Sequence, residues 1–242
     1  MKKVTYDIEW KLESSHWWFI GRRKLLKSLL SSITIPQTSH LIDIGCGVGS
    51  NLGLLQSLGF KVIGVDSEIY SLIYAKKRFS TIPLVNGEIL NLPVRSNSID
   101  LIIATDILEH VSEDSLGIKE IYRALRQRGK VLFTVPAFTF LWGVQDVGGR
   151  HKRRYSKREL IRQIEQQGFE VLKSSYFNFF FFFPIFMVRR FVRFLGLEIE
   201  SENQINSPLI NFLLKTIFSL EPYILKYVTF PFGVSIFCVA QK

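Results

Sequence analysis

The chain is short of cysteine, histidine and acid. Cys46 and Cys238 are its two cysteines, far apart in 242 residues. That spacing excludes a disulfide framework and makes a reducing cytoplasm the expected compartment. The four histidines are scattered, and Cys46 sits inside a glycine-rich stretch. No metal-ligand spacing stands out, so no metal is expected. Met1–Trp10 has charges but no apolar core of a signal peptide. There is no internal repeat, no long low-complexity linker and no clean apolar run of the ~20 residues that a spanning helix needs. Asp and Glu number 21 against 31 Lys and Arg, a net charge of +10. Anionic partners are therefore favoured: nucleic acid, phospholipid headgroups or a phosphorylated substrate. Apolar residues, at 47%, suffice for one α/β domain with an embellishment.

What is present is organised around Leu41–Ser50, Leu-Ile-Asp-Ile-Gly-Cys-Gly-Val-Gly-Ser. Leu41, Ile42 and Ile44 read as a buried strand. Gly45, Gly47 and Gly49 follow at once, and Leu52, Leu54, Leu55 and Leu58 begin a helix that Gly59 ends. Strand, glycine turn and helix together let a ligand lie on bare backbone at a helix N-terminus. A side chain at Gly45 or Gly47 would fill that space or be strained at positive φ. A nicotinamide dinucleotide and S-adenosyl-L-methionine (SAM) compete for the site. The dinucleotide fingerprint is Gly-x-Gly-x-x-Gly, but here the last position is Ser50 and an acid, Asp43, leads. A carboxylate repels a pyrophosphate and attracts the ammonium of a methionine moiety, which favours SAM.

Along the chain, Tyr6–Leu30 carries His16-Trp-Trp-Phe19 and Arg22-Arg-Lys24, with an amphipathic helix in its second half. Adjacent Trp17 and Trp18 cannot both face one core stripe, so one is expected over a cofactor or substrate; stray aromatics on an edge-packed helix are the plain alternative. Strands are expected at Lys61–Val65, Ile82–Asn86, Ile99–Ala104, Lys130–Val135, Glu170–Tyr176 and Gly233–Ala240. Asp66 ends the second of the chain's strands, about 20 positions past the glycine turn, where an acid holds a ribose diol. Glu88 and Asp106 stand past the next two strand ends. Ser112 is expected to cap a helix running to Gln127, which Gly129 breaks. Ser156 and Glu159 form a capping box, with Tyr155 and Leu160 as its staple and Gly168 closing the helix. Alternating strands and helices argue for a parallel sheet with ligands at its carboxyl ends.

These pieces resemble the core of class I SAM-dependent methyltransferases over residues 41–136. The resemblance rests on Asp43-Ile-Gly-Cys-Gly-Val-Gly49, Val65-Asp66, Gly87-Glu88…Leu92-Pro93, Ser98-Ile-Asp100 and Asp106-Ile-Leu-Glu-His-Val111. It implies an α/β, doubly wound, seven-stranded, mostly parallel sheet whose last strand is antiparallel at the sheet edge. It also implies SAM as cofactor. Asp43, Gly45, Cys46 and Gly47 would meet its methionine part, Asp66 and Ser67 its ribose, and Glu88 and the Ile89 N–H its adenine, with Asp106 beside them. The family more often has Asp where Glu88 stands. His16–Arg23 and Val135–Tyr155 resemble a type 11-like bacterial subgroup found among cell-surface polysaccharide or lipid genes.

The expected layout is one domain over 1–242, with a helical cap at 1–35 and a helical insertion at 177–230. The insertion holds Phe177–Leu195, rich in Phe and Arg, with Pro184 as a helix start. A second apolar helix is expected from Pro208 to Tyr227, its apolar run broken by Lys215, Glu221 and Pro222, so that neither helix reads as a clean membrane span. Aromatics beside arginines suit a membrane interface or an acyl pocket; self-packing and dimerisation are the other readings. Between strands five and six, Lys152, Arg153 and Arg154 either bind an anion or form a solvated loop. An oxygen acceptor would use a general base, with His151 preferred, His110 next and His16 third. The functional expectation is methyl transfer to a small or lipid-linked anionic acceptor, in the cytoplasm or at the inner face of the membrane. The alternative is a non-catalytic SAM-fold protein that binds a membrane or partner. Nucleic acid is disfavoured, since Thr105-Asp106-Ile-Leu stands where base-methylating enzymes carry Asn/Asp-Pro-Pro-Tyr/Phe.

Overall fold

The computed structural model describes residues 10–36, 39–195 and 207–242, apart from the side chain of Arg193. Seven strands form one sheet: β1 (His40–Ile44), β2 (Lys61–Asp66), β3 (Leu84–Asn86), β4 (Ile99–Thr105), β5 (Leu125–Pro136), β6 (Glu170–Phe177) and β7 (Ser235–Gln241). Their order is β3-β2-β1-β4-β5-β7-β6. The pairs among β1 to β5 are parallel, and β7 runs antiparallel to both neighbours. The chain starts mid-sheet at β1, winds out to β3, then returns to β4 on the other side. The reversal between β1 and β4 opens the crevice where such sheets bind ligands.

The helices are α1 (Trp17–Ser31), α2 (Leu52–Ser57), α3 (Ile69–Arg78), α4 (Asp114–Ala124), α5 (Val144–Gly148), α6 (Lys157–Gln166), α7 (Phe182–Leu195) and α8 (Pro208–Ile224). The central strands are apolar on both faces because helices cover both, as buried parallel strands require. Leu41, Ile42, Leu101, Ile102, Leu132 and Phe133 are fully buried. The cap at Ser156 forms as expected, its hydroxyl accepting from Glu159 N at 3.2 Å, and Gly168 follows that helix at φ 93°.

Four expectations need correction. The seventh strand is not at the sheet edge: β7 inserts between β5 and β6, and β6 takes the edge. The fourth helix stops at Ala124, and β5 begins at Leu125 opposite Ile99. The register then shifts past Ile99, with Arg128 at φ 62°, so Gly129 marks an irregularity within β5. Ser112 caps nothing; Glu113 holds the N-cap position of α4, and the Ser112 hydroxyl accepts from Lys152 Nζ. Helix α7 starts at Phe182, two residues before Pro184. Helix α8 runs from Pro208 through Lys215, Glu221 and Pro222 to Ile224, close to the expected span.

The two tryptophans also lie elsewhere than expected. Trp17 packs on Phe181 and Phe218 at centroid distances of 5.0 and 5.9 Å, and Trp18 on Phe218 at 5.7 Å. Gly21 permits this, because a Cβ there would lie 2.2 Å from the Phe218 ring. Both tryptophans thus serve the seam between α1 and α8. Tyr6 lies outside the described residues.

Candidate active site

The glycine loop is built by β1 and β2 together. Gly45 N and Cys46 N both donate to Val65 O, at 2.8 and 3.2 Å, and Gly47 N donates to Asp66 Oδ2 at 2.8 Å. Gly45, Gly47 and Gly49 take φ of 70°, 56° and 95°, the left-handed region that a Cβ penalises. A Cβ at Gly47 would meet nothing within 4 Å, so the loop presents bare backbone to open space. Asp66 Oδ1 accepts from Glu68 N at 2.9 Å, and Asn86 Nδ2 donates to the Asp66 and Ser67 carbonyls. Each Asp66 oxygen keeps a lone pair for a hydroxyl. Exposed Glu88 and buried Ile89 follow β3.

Asp43 is fully buried, and neither carboxylate oxygen has a hydrogen-bond partner among the described residues. Burial pushes its carboxyl up to about 7; the nearby Asn51 side chain pulls it down, short of a well-formed hydrogen bond, and the Asp66 charge adds to the rise. An acid so placed is costly unless a donor or cation comes to it, and the ammonium of a methionine moiety is such a group.

Two features of the roof were not foreseen. Arg22 on α1 pairs with Asp106 at 2.5 Å, and Thr134 Oγ1 donates to the other Asp106 oxygen at 2.8 Å. Glu13 is buried, takes a hydrogen bond from Ser50 on the glycine loop and pairs with Arg78 of α3. Nothing in the pattern Leu12-Glu13-Ser14 signals this, because the contacts span tens of residues.

A second cluster lies past β4 and β5. The 3₁₀ turn Leu108–His110 follows β4, and α5 follows β5. Lys152 N donates to Glu109 O at 2.7 Å and joins the two loops. The His110 and His151 rings meet edge to face, with centroids 4.7 Å apart, so the histidines are not all scattered and the expected absence of a ligand cluster needs correction. Asp146 lies fully buried beneath them. It accepts from His151 Nδ1 at 2.9 Å, Arg154 Nε at 2.8 Å and Gly143 N at 2.7 Å. Burial alone would raise its carboxyl, but His151 and Arg154 hold it down at about 2. Burial, and then His151, push His110 down to about 4. His16, the third candidate base, is instead the buried N-cap of α1, accepting from Trp18 N at 3.3 Å.

The basic loop is tied up internally, with Arg154 buried, Arg153 half-buried and Lys152 exposed. Arg153 pairs with Asp114 at 2.9 Å, Arg154 pairs with Asp146 and also donates to Ala137 O at 2.9 Å, and Lys152 reaches Ser112.

With this geometry, the comparisons become readable. Residues 42–133 match the family model described as a methyltransferase domain. Over that stretch the chain is similar to the class I SAM-dependent methyltransferases. A probable S-adenosylmethionine-dependent methyltransferase of Mycolicibacterium smegmatis is 27% identical over 133 residues, covering 54% of this chain and 52% of that one. The chain spans about half the length of the curated relatives it matches first. Among solved structures, the putative methyltransferase of Haloferax volcanii, in complex with the Trm112 activator, superposes with a TM-score of 0.66 at 16% identity. That match covers 98% of this chain and 94% of the other. Phosphoethanolamine N-methyltransferase 2 of Haemonchus contortus, solved with SAM, gives 0.60 at 18% identity, over 90% of this chain and 52% of the other. These likenesses show the fold. The open face of Gly47 and the unpartnered Asp43 carboxylate fit SAM, the cofactor named for the Mycolicibacterium and Haemonchus proteins.

Proposed function

We propose that the protein transfers a methyl group from SAM to an oxygen of a small or lipid-linked anionic acceptor. SAM supplies an electrophilic methyl on a sulfonium. On this reading Asp43, Gly45, Cys46 and Gly47 hold the methionine part, Asp66 and Ser67 the ribose, Glu88 and the Ile89 N–H the adenine, and Asp106 lines the reacting side. Residues 1–35 act as a cap and 177–230 as an insertion on one domain.

The observation that carries the reading is the His151–Asp146 hydrogen bond beside His110, next to the loop that carries Asp106. A carboxylate on Nδ1 orients the imidazole and leaves Nε2 to take a hydroxyl proton, so His151 is the preferred base. The low pKa of His110, about 4, keeps it neutral at physiological pH, a neighbour that positions rather than protonates.

The lipid link is supported by α7. Phe183, Met187, Phe191 and Phe194 are exposed, Phe194 by 85%. Met187, Arg190, Phe191 and Phe194 line one groove. Among the described residues no helix is long and apolar enough to cross a membrane, so the contact proposed is peripheral. The test is transfer of labelled methyl to lipid-linked sugars, with nucleic acid as control. Turnover that depends on His151 supports the proposal. SAM binding with no turnover on any acceptor brings the binding-protein reading forward.

A further inference from the structure

We propose that Glu109, His110 and His151 bind one divalent metal ion of the zinc class. One ligand atom from each lies within 4.8 Å of the others. Filled tetrahedral sites with metal–ligand distances of about 2.0–2.2 Å bring such atoms to about 3.3 Å. Side-chain rotations that bring the atoms about 1.5 Å nearer close the difference.

Three observations point to a cation here. Glu109 is 1% exposed, and neither of its oxygens has a hydrogen-bond partner among the described residues. A buried bare carboxylate is expensive, and a bound cation satisfies it. The neighbouring acids are already matched, Asp106 with Arg22, Asp114 with Arg153 and Asp146 with Arg154, so Glu109 is the acid that a new positive charge would serve. Finally, Asp146 accepts from His151 Nδ1 at 2.9 Å. That bond sets the tautomer and leaves the Nε2 lone pair available, as outer-shell carboxylates do for metal-bound histidines.

The donor set selects the ion. Two imidazole nitrogens and one carboxylate suit Zn²⁺, Co²⁺, Fe²⁺ or Mn²⁺, whereas Mg²⁺ and Ca²⁺ prefer all-oxygen shells. Three protein ligands leave a position open. The use of that position rests on the methyl-transfer reading. An acceptor hydroxyl bound to the metal releases its proton to water more readily. The acceptor oxygen then forms the new O–CH₃ bond as the S–CH₃ bond breaks, its electron pair staying on sulfur. In the metal-free protein His151 is the base proposed above; with the ion bound its Nε2 is a ligand, and the metal-bound hydroxyl gives its proton to water instead.

The test uses full-length, untagged, chelator-treated protein without SAM. Zn²⁺ is titrated by calorimetry and Co²⁺ by its visible absorption, with Mg²⁺ as comparison. One equivalent of Zn²⁺ is expected to bind, and Co²⁺ to show a nitrogen-ligated spectrum. Glu109→Gln keeps the side chain's shape and His151→Ala removes a ring; each should weaken Zn²⁺ more than about 100-fold. Asp146→Asn should weaken it about 10- to 100-fold, while His40→Ala, on β1, leaves it unchanged. Circular dichroism confirms that each variant is folded. No stoichiometric uptake, or uptake that survives both Glu109→Gln and His151→Ala, overturns the proposal. SAM affinity measured on the metal-free protein tests the cofactor reading separately, so either can fail alone.

Discussion

Glu221 ties α8 to the start of the aromatic run, and its removal should be among the most damaging single changes outside the sheet. The side chain is fully buried and accepts from three consecutive backbone N–H groups: Asn178 at 2.6 Å, Phe179 at 2.7 Å and Phe180 at 3.2 Å. Glu221→Ala leaves the Asn178 and Phe179 donors without a partner, whereas the more exposed Phe180 can turn to water. At about 1–3 kcal/mol for each orphaned donor, the loss is about 2–6 kcal/mol. In a chain of this size that is a fall in Tm of about 4–24 °C, at about 2–4 °C per kcal/mol. The pH dependence is a sharper test. Burial holds the Glu221 carboxyl up to about 7 against an ordinary 4.5, even though the three N–H groups pull it down. A carboxyl raised on folding holds its proton more tightly in the folded state. Its contribution is therefore complete below about pH 4.5 and is lost as pH rises through about 7, a swing of about 3 kcal/mol. Glu221→Gln cannot titrate. Urea unfolding followed by circular dichroism at pH 5 and pH 8 should show wild type leading the Gln variant by about 2.5 kcal/mol more at pH 5. An equal lead at both pH values would refute the reasoning.

Asp66→Ala should weaken SAM about 100-fold by calorimetry, since two hydrogen bonds to a charged group are worth about 3 kcal/mol or more; unchanged affinity sinks the ribose assignment. Gly21→Val puts side-chain atoms where the Phe218 ring stands, with the added Cβ only 2.2 Å from it. It should cost about 1–3 kcal/mol, read as a lower Tm, and Gly21→Ala should cost less. His151→Ala should lower kcat by about 10²- to 10⁴-fold with SAM affinity unchanged in the same preparation. Changing Phe191 and Phe194 to Ser should release the protein from anionic vesicles in flotation without altering SAM affinity; equal flotation would remove the membrane contact.

The glycine turn after β1 and the acid ending β2 were legible because their signals are local. Gly45, Gly47 and Gly49 follow β1 directly, and Asp66 ends the next strand, so the required backbone freedom and charge lie in adjacent letters. The cap at Ser156 was legible for the same reason. The cluster past β4 and β5 was not. His110 and His151 are 41 positions apart, and only the adjacency of β4 and β5 brings their loops together. The basic loop misled, because sequence shows the charges of Arg153 and Arg154 but not the buried acids, Asp114 and Asp146, that engage them.

By itself the sequence determined the alternation of strand and helix, the glycine turn and the acids at strand ends, because hydrophobic period, φ preference and charge act over a few residues. Tertiary structure decided where β7 inserts, that Gly21 admits Phe218 against both tryptophans, that Arg22 and Glu13 roof the crevice, and that Glu109 lies buried beside two imidazoles. Those outcomes depend on which distant faces pack together, and no local pattern carries that information.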